Sequence, residues 1–135
     1  MIALLDSSVW VSYFNDFDTY HARAVAIVEE FIGTQTIIVV PDVVLAEVTN
    51  VLIRLDPTDV LIERFHQHRA HFDWLVESVF GNREFWTKTI EEVAHKVQLK
   101  TLDLIIVSYA YHFQVDLFRS FDTQQEKAAQ KILKR

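Results

Sequence analysis

The chain alternates short apolar runs with segments in which apolar residues recur every three or four positions. Ile2-Ala3-Leu4-Leu5 is apolar throughout and ends at Asp6, the pattern of a strand covered on both faces. Ser7 to Phe14 predicts a short helix with Val9, Trp10, Tyr13 and Phe14 on one face, and Asn15-Asp16-Phe17-Asp18 a loop. Residues 20–32 carry Ala22, Val25, Ala26, Val28 and Ile32 at helical spacing, with Gly33 as the stop. Residues 36–40 (Thr-Ile-Ile-Val-Val) are β-branched throughout and form the strongest strand signal. Pro41 ends it and suits the first turn of a helix over 42–55, striped by Val44, Val48, Val51, Leu52 and Leu55. Asp56-Pro57-Thr58-Asp59 breaks that helix and caps another over 59–70. Residues 72–76 alternate weakly, as a third strand would. Residues 84–98 read as a helix through Phe85, Ile90, Val93 and Val97, and 102–113 as a strongly apolar helix opened by Thr101. Residues 115–121 make a fourth strand, and Asp122-Thr123 caps a last helix.

Strands separated by helical crossovers imply a mainly parallel sheet with helices on both faces. The expected fold class is therefore α/β, a three-layer α/β/α sandwich on a sheet of four strands, with a fifth left open. No linker, low-complexity stretch or repeat divides the chain, so 1–135 is expected to be one domain. Half the residues are apolar, enough for a core. The mean hydropathy of +0.12 invites a membrane reading, but no apolar run approaches the roughly 20 residues a spanning helix needs. The start lacks a basic stretch and meets Asp6 too early for a signal peptide, so a cytoplasmic protein is expected. Absence of cysteine excludes a disulfide scaffold, a thiolate zinc site and a cysteine nucleophile.

The net charge of −6 argues against a simple nucleic-acid binder. Yet residues 119–135 carry five cations against Asp122 and Glu126, a net +3, which leaves −9 on the rest. Such a segment suits a phosphate backbone or an acidic partner; it also suits a plain solvated helix end.

Four carboxylates stand out by position. Asp6 directly follows the first predicted strand and Asp122 the last, and in a parallel sheet those carboxyl ends share the edge where open α/β sheets bind ligands. Glu47 lies about 60° from Val44 and about 40° from Val51 on a helical wheel, at the border of an apolar stripe. Asp103 opens a helix that is otherwise apolar. Singly, each has an ordinary use as a helix cap, a first-turn acid or a charge reaching water over the core. Together on one edge they would repel and raise one another's pKa, and a divalent cation would relieve this. All-oxygen ligation without cysteine points to Mg²⁺ or Mn²⁺.

Leu4-Leu5-Asp6-Ser7-Ser8-Val9, Pro41-Asp42-Val43-Val44-Leu45-Ala46-Glu47-Val48, Leu102-Asp103-Leu104-Ile105-Ile106-Val107-Ser108-Tyr109-Ala110 and Ser120-Phe121-Asp122 resemble, in order and spacing, the four motif blocks of PIN-domain ribonucleases. The nearest branch is the VapC-type toxins of toxin–antitoxin pairs, whose first helix is followed by a segment similar to Tyr20-His21-Ala22-Arg23-Ala24. The resemblance implies an endoribonuclease dependent on Mg²⁺ or Mn²⁺, a small antitoxin partner and a homodimer. It implies that Asp6, Glu47, Asp103 and Asp122 are the catalytic and metal-holding acids. Ser120 matches a small hydroxyl residue that would hold a carboxylate or a metal-bound water. Hydrolysis would leave a 5′-phosphate and a 3′-hydroxyl, with Lys100, Arg119, Lys127 and Lys131 the nearest cations to grip RNA. Many relatives continue into a fifth strand; no apolar run follows Asp122 here.

The rival readings fit less well. A catalytically silent PIN-like interaction module should have lost one of the four acids. Haloacid-dehalogenase-like phosphatases need an acid where Ser8 stands, receiver domains need an aspartate within 77–81, and phosphate-binding glycine loops are absent. His66, His68 and His71 lack the spacing of a metal motif and are expected to be solvated, while His21 caps or packs. Trp10, Trp74, Trp86, Phe80 and Phe85 suit a core, or else a dimer face or antitoxin groove. Asp42, Asp56 and Asp59 are expected to be caps.

Overall fold

The computed structural model describes residues 1–71, 75–77 and 81–133. Four parallel strands stand in the order β3-β2-β1-β4: β1 (Ile2–Leu5), β2 (Ile37–Pro41), β3 (Leu75–Glu77) and β4 (Leu117–Arg119). Ala3 faces Ile38 on one side and Leu117 on the other. Ala3, Leu4 and Leu5 are all fully buried. Successive strand residues point to opposite faces, so both faces of the sheet are covered at β1. The helices that cover it form two packed groups. One comprises α1 (Ser7–Phe14), α2 (His21–Gly33), α3 (Asp42–Leu55) and α4 (Val60–His71). The other comprises a π-helical turn (Phe85–Thr89), α5 (Ile90–Lys96), α6 (Thr101–His112) and α7 (Thr123–Leu133).

The departures from the sequence pattern have local causes. Pro41 closes β2 with extended backbone (φ −61°, ψ 144°) and precedes α3 instead of occupying its first turn. Its ring fixes φ near that value in either setting, so the pattern alone does not separate them. β4 covers only 117–119 of the expected 115–121. Side chains take the next two backbone N–H groups: Ser120 N–H donates to Glu126 Oε2 (3.0 Å) and Phe121 N–H to Ser8 Oγ (3.0 Å). The helix expected over 84–98 passes through the π turn near its start and ends at Lys96, where Val97 is extended. Phe85 and Val93 are both fully buried. On an unbroken α-helix they would lie about 80° apart; one extra residue in the turn brings them to within about 20°.

His68 overturns its expected solvation. It is 8% exposed and packs edge-on to Trp10, Tyr13 and Phe14 with ring centroids 5.9, 5.1 and 5.5 Å away. With Ile62 and Phe65 it forms the face that α4 turns to α1. His66 is exposed as expected, and the side chain of His71 lies outside the described residues. Trp10 and Phe85 are core residues, whereas Trp86 is partly exposed. Trp74, Phe80 and residues 72–74 of the expected third strand lie outside the described residues.

Candidate active site

The site grows from the carboxyl end of β1. Asp6 caps α1: its Oδ1 accepts from Ser8 N–H (3.0 Å), Val9 N–H (3.4 Å) and Ser8 Oγ (2.5 Å). Its Oδ2 accepts from Ser120 Oγ (2.6 Å), 114 residues away. Asp6 is 3% exposed. Burial pushes its carboxyl up to about 6 against the opposing pull of those donors. Ser120 Oγ in turn accepts from Asp122 N–H (2.9 Å), and Ser8 Oγ accepts from Phe121 N–H. Two hydroxyls thus bind the carboxyl end of β1 to the turn after β4.

Glu47 stands in the second turn of α3. Ser7 Oγ donates to its Oε1; its Oε2 is buried and has no hydrogen-bond partner among the described residues. Asp103, in the first turn of α6, has a raised carboxyl pKa. Partial burial is the main cause, followed by the charges of Asp122 and then Glu47, with Lys100 opposing. Asp122 is exposed and caps α7, accepting from Gln124 N–H (3.0 Å) and Gln125 N–H (3.2 Å). Asp103 and Asp122 share a cleft of about 520 Å³ with Leu99, Lys100, Gln98 and Gln124.

The five expected residues therefore divide. Asp103 feels the charges of Asp122 and Glu47, while Asp6 and Ser120 are buried in a hydrogen-bond network of their own. Among the described residues no three histidine, aspartate or glutamate side chains stand close enough to hold an ion as they are placed. The donor set nevertheless has the chemistry of a hard-cation site. It is all oxygen, one glutamate oxygen is buried without a donor, and Asp103 is raised by burial and then by two acids, with only Lys100 opposing. Asp6, already accepting four hydrogen bonds, has the least capacity left.

Ser7, Ser8 and Glu126 complete the site without having been singled out; a hydroxyl one or two places after a strand-end acid was the available signal. Other sequence candidates fall outside it. Asp42 accepts from Tyr109 Oη (2.5 Å) and Val43 N–H (2.9 Å), tying α3 to α6. Asp56 instead holds a turn by accepting from Thr58 N–H (2.9 Å) and Thr58 Oγ1 (2.5 Å). His21 Nδ1 lies 2.8 Å from the Ser12 carbonyl oxygen, linking α2 to α1. At the site's margin Phe121 stacks on Tyr20 (5.0 Å), with the Arg23 guanidinium 5.1 Å from the Phe121 ring.

Comparison with known proteins agrees with this architecture. No curated protein matches the chain at a significant level. Among solved structures, the chain is similar to Mycobacterium tuberculosis VapC20, described as a sarcin–ricin-loop-cleaving toxin. The TM-score is 0.71 at 16% identity, over 93% of this chain and 94% of that one. It is also similar to VapBC2 from Rickettsia felis, solved bound to a DNA fragment from their promoter. There the TM-score is 0.67 at 15% identity, over 94% of this chain and 92% of that one. At such identities the likeness speaks for the fold. The family model of the PIN domain matches residues 3–131, nearly the whole length, and the chain therefore belongs to the PIN domain family.

Proposed function

We propose that this PIN domain is an endoribonuclease of the VapC type, dependent on Mg²⁺ or Mn²⁺ and acting as the toxin of a toxin–antitoxin pair. The observation that carries the reading is the open trio of Glu47, Asp103 and Asp122. One oxygen of Glu47 is buried without a donor, and the Asp103 carboxyl is raised by burial and then by its two acidic neighbours. A buried polar atom normally has a hydrogen-bond partner. These three would hold the cation, with Asp6 behind them. When bound, the ion would offset charge on the scissile phosphate and activate a water.

The chain's own residues do the rest. Ser7 fixes Glu47 through Oε1 and leaves Oε2 without a donor. Ser120 and Ser8 hold Asp6 rigid, so the carboxyl ends of β1 and β4 keep one spacing. An acid of the site not committed to the ion would orient the attacking water or take its proton. Lys100, on the wall of the same cleft, faces the substrate phosphate. A small antitoxin and a homodimer complete the proposal; support comes from the family and from the VapBC2 likeness. No described helix is long and apolar enough to cross a membrane.

The test is cleavage of structured and single-stranded RNAs by purified protein with Mg²⁺ or Mn²⁺, with EDTA, and with Asp6→Asn and Asp103→Asn. Metal-dependent cleavage lost in both variants is the expected result. No cleavage together with no Mn²⁺ binding by calorimetry would replace the proposal with a catalytically silent PIN-like interaction module.

A further inference from the structure

A second groove, of about 630 Å³, runs between the C-terminal end of α5 and one face of α7. Its side chains include Lys96, Lys127 and Lys131, and among the described residues no carboxylate lines it. Gln98 and Gln124 belong to both this groove and the acidic cleft, so the two are continuous. On α7, Gln124, Lys127 and Lys131 stand at i, i+3 and i+7, one stripe of the helix, with the two lysines about 6 Å apart along its axis. The stripe starts at the acidic cleft and leads away from it.

The lysines are not consumed by local pairing to the same extent. Lys96 is 3.4 Å from Glu92 and its ammonium lies 5.3 Å from the Tyr111 ring. Lys131 donates to the Lys96 carbonyl (3.0 Å), an end group of α5, and so keeps its charge without a carboxylate. Lys127 is exposed and has no hydrogen-bond or ion-pair partner among the described residues. On a chain of net charge −6, this places uncompensated positive charge beside a cleft whose acids would repel a polyanion. Gln124 Nε2 reaches the Gln98 carbonyl (3.5 Å) across the junction, a neutral sill between the two compartments.

We propose that the α5–α7 groove is the track for the RNA backbone, with Lys127 and Lys131 taking phosphates on one side of the bond that enters the acidic cleft. The proposal rests on the nuclease reading above. It assigns the contacts to phosphate, so they position the strand without reading its sequence.

The test compares Lys127→Gln/Lys131→Gln with the parent protein, both on the Asp103→Asn background with Mg²⁺ present, so that bound RNA stays uncut. The probe is a labelled 20-nucleotide single-stranded RNA of mixed sequence, and the readout is the slope of log K against log salt. Each phosphate contact on a single strand contributes about 0.7 to that slope. The double variant should flatten it by about 1.4 and weaken binding equally for RNAs of different sequence. Arg54→Gln/Lys88→Gln, which removes two cations outside the groove, should leave the slope unchanged. The amide introduced by Lys131→Gln can still donate to the α5 carbonyl, and an unchanged melting temperature confirms that the fold persists. An unchanged slope in the groove variant, while the protein bearing Asp103 still cuts RNA in a metal-dependent way, overturns the track and spares the nuclease. Loss of binding to an oligoglutamate peptide with RNA binding intact assigns the groove to an acidic protein partner and overturns the track as well. If the protein bearing Asp103 binds no RNA the track falls, and if it also cuts no RNA and binds no Mn²⁺ both readings fall.

Discussion

Asp6 and Asp122 occupy similar places in the chain's grammar. Each stands shortly after a strand and caps the following helix through one carboxylate oxygen. Their surroundings make them opposite in character. β1 lies inside the sheet with β2 and β4 on either side, so Asp6 at its end is enclosed and accepts four hydrogen bonds. β4 is an edge strand, and Asp122 remains exposed on the cleft it shares with Asp103. The position of a strand in the sheet, more than the local sequence, decides whether its terminal acid is enclosed or left open to solvent. Burial costs an ionised carboxylate its hydration, and only donors can compensate.

The largest effect that would break this contrast is on activity. Asp103→Asn or Asp122→Asn should lower RNA cleavage by about 10²–10⁴-fold, with melting temperature unchanged or raised because a like charge is removed. A fall in melting temperature would move these acids to the scaffold side.

Next is the pH dependence of stability. Asp6 has a folded pKa of about 6 against an ordinary 3.8, so the folded protein holds this proton more tightly than the unfolded chain. Its contribution to stability is present in full below 3.8 and is lost as the pH rises through about 6. The span corresponds to about 3 kcal/mol. Urea unfolding of the parent and Asp6→Asn at intervals from about pH 4 to 7 isolates it, since the variant should lack this component. Identical slopes in the two proteins would place Asp6 with Asp122 as a solvated acid.

Ser120→Ala should cost about 1–3 kcal/mol, because Asp6 Oδ2 loses its donor in a buried site. Ser120→Thr should recover part of this. A neutral Ser120→Ala would mean that the link between β1 and β4 carries no weight. The smallest expected change is Ser7→Ala, about 0.5–1.5 kcal/mol by chemical unfolding, since Glu47 is only partly buried and can seek water. Its signature is instead a weakened Mn²⁺ isotherm.

Much of this was legible in the chain itself. The β-branched run before Pro41 and the apolar run before Asp6 locate the two inner strands, and the acids at strand and helix ends follow from parallel topology. What could not be read is how strongly each acid is enclosed. That depends on Ser120 meeting Asp6 across the sheet, a contact between residues far apart with no periodic signature. His68 escaped for a similar reason: its neighbours are aromatic residues of α1, and a polar side chain in an otherwise weakly patterned helix gives no sign of what will cover it. The π turn is invisible to a period of 3.6, and the short β4 reflects competition for backbone donors by Glu126 and Ser8.

The Ser120 bridge also sets an order of events during synthesis. Ribosomes deliver the chain from its N-terminal end, and Asp6 emerges long before residue 120 exists. Until β4 has been made and has docked beside β1, Asp6 Oδ2 lacks its donor and Asp122 has nowhere to be placed. The acidic pocket is therefore a late product of translation. A nascent chain whose last strand is still in the exit tunnel lacks the assembled pocket.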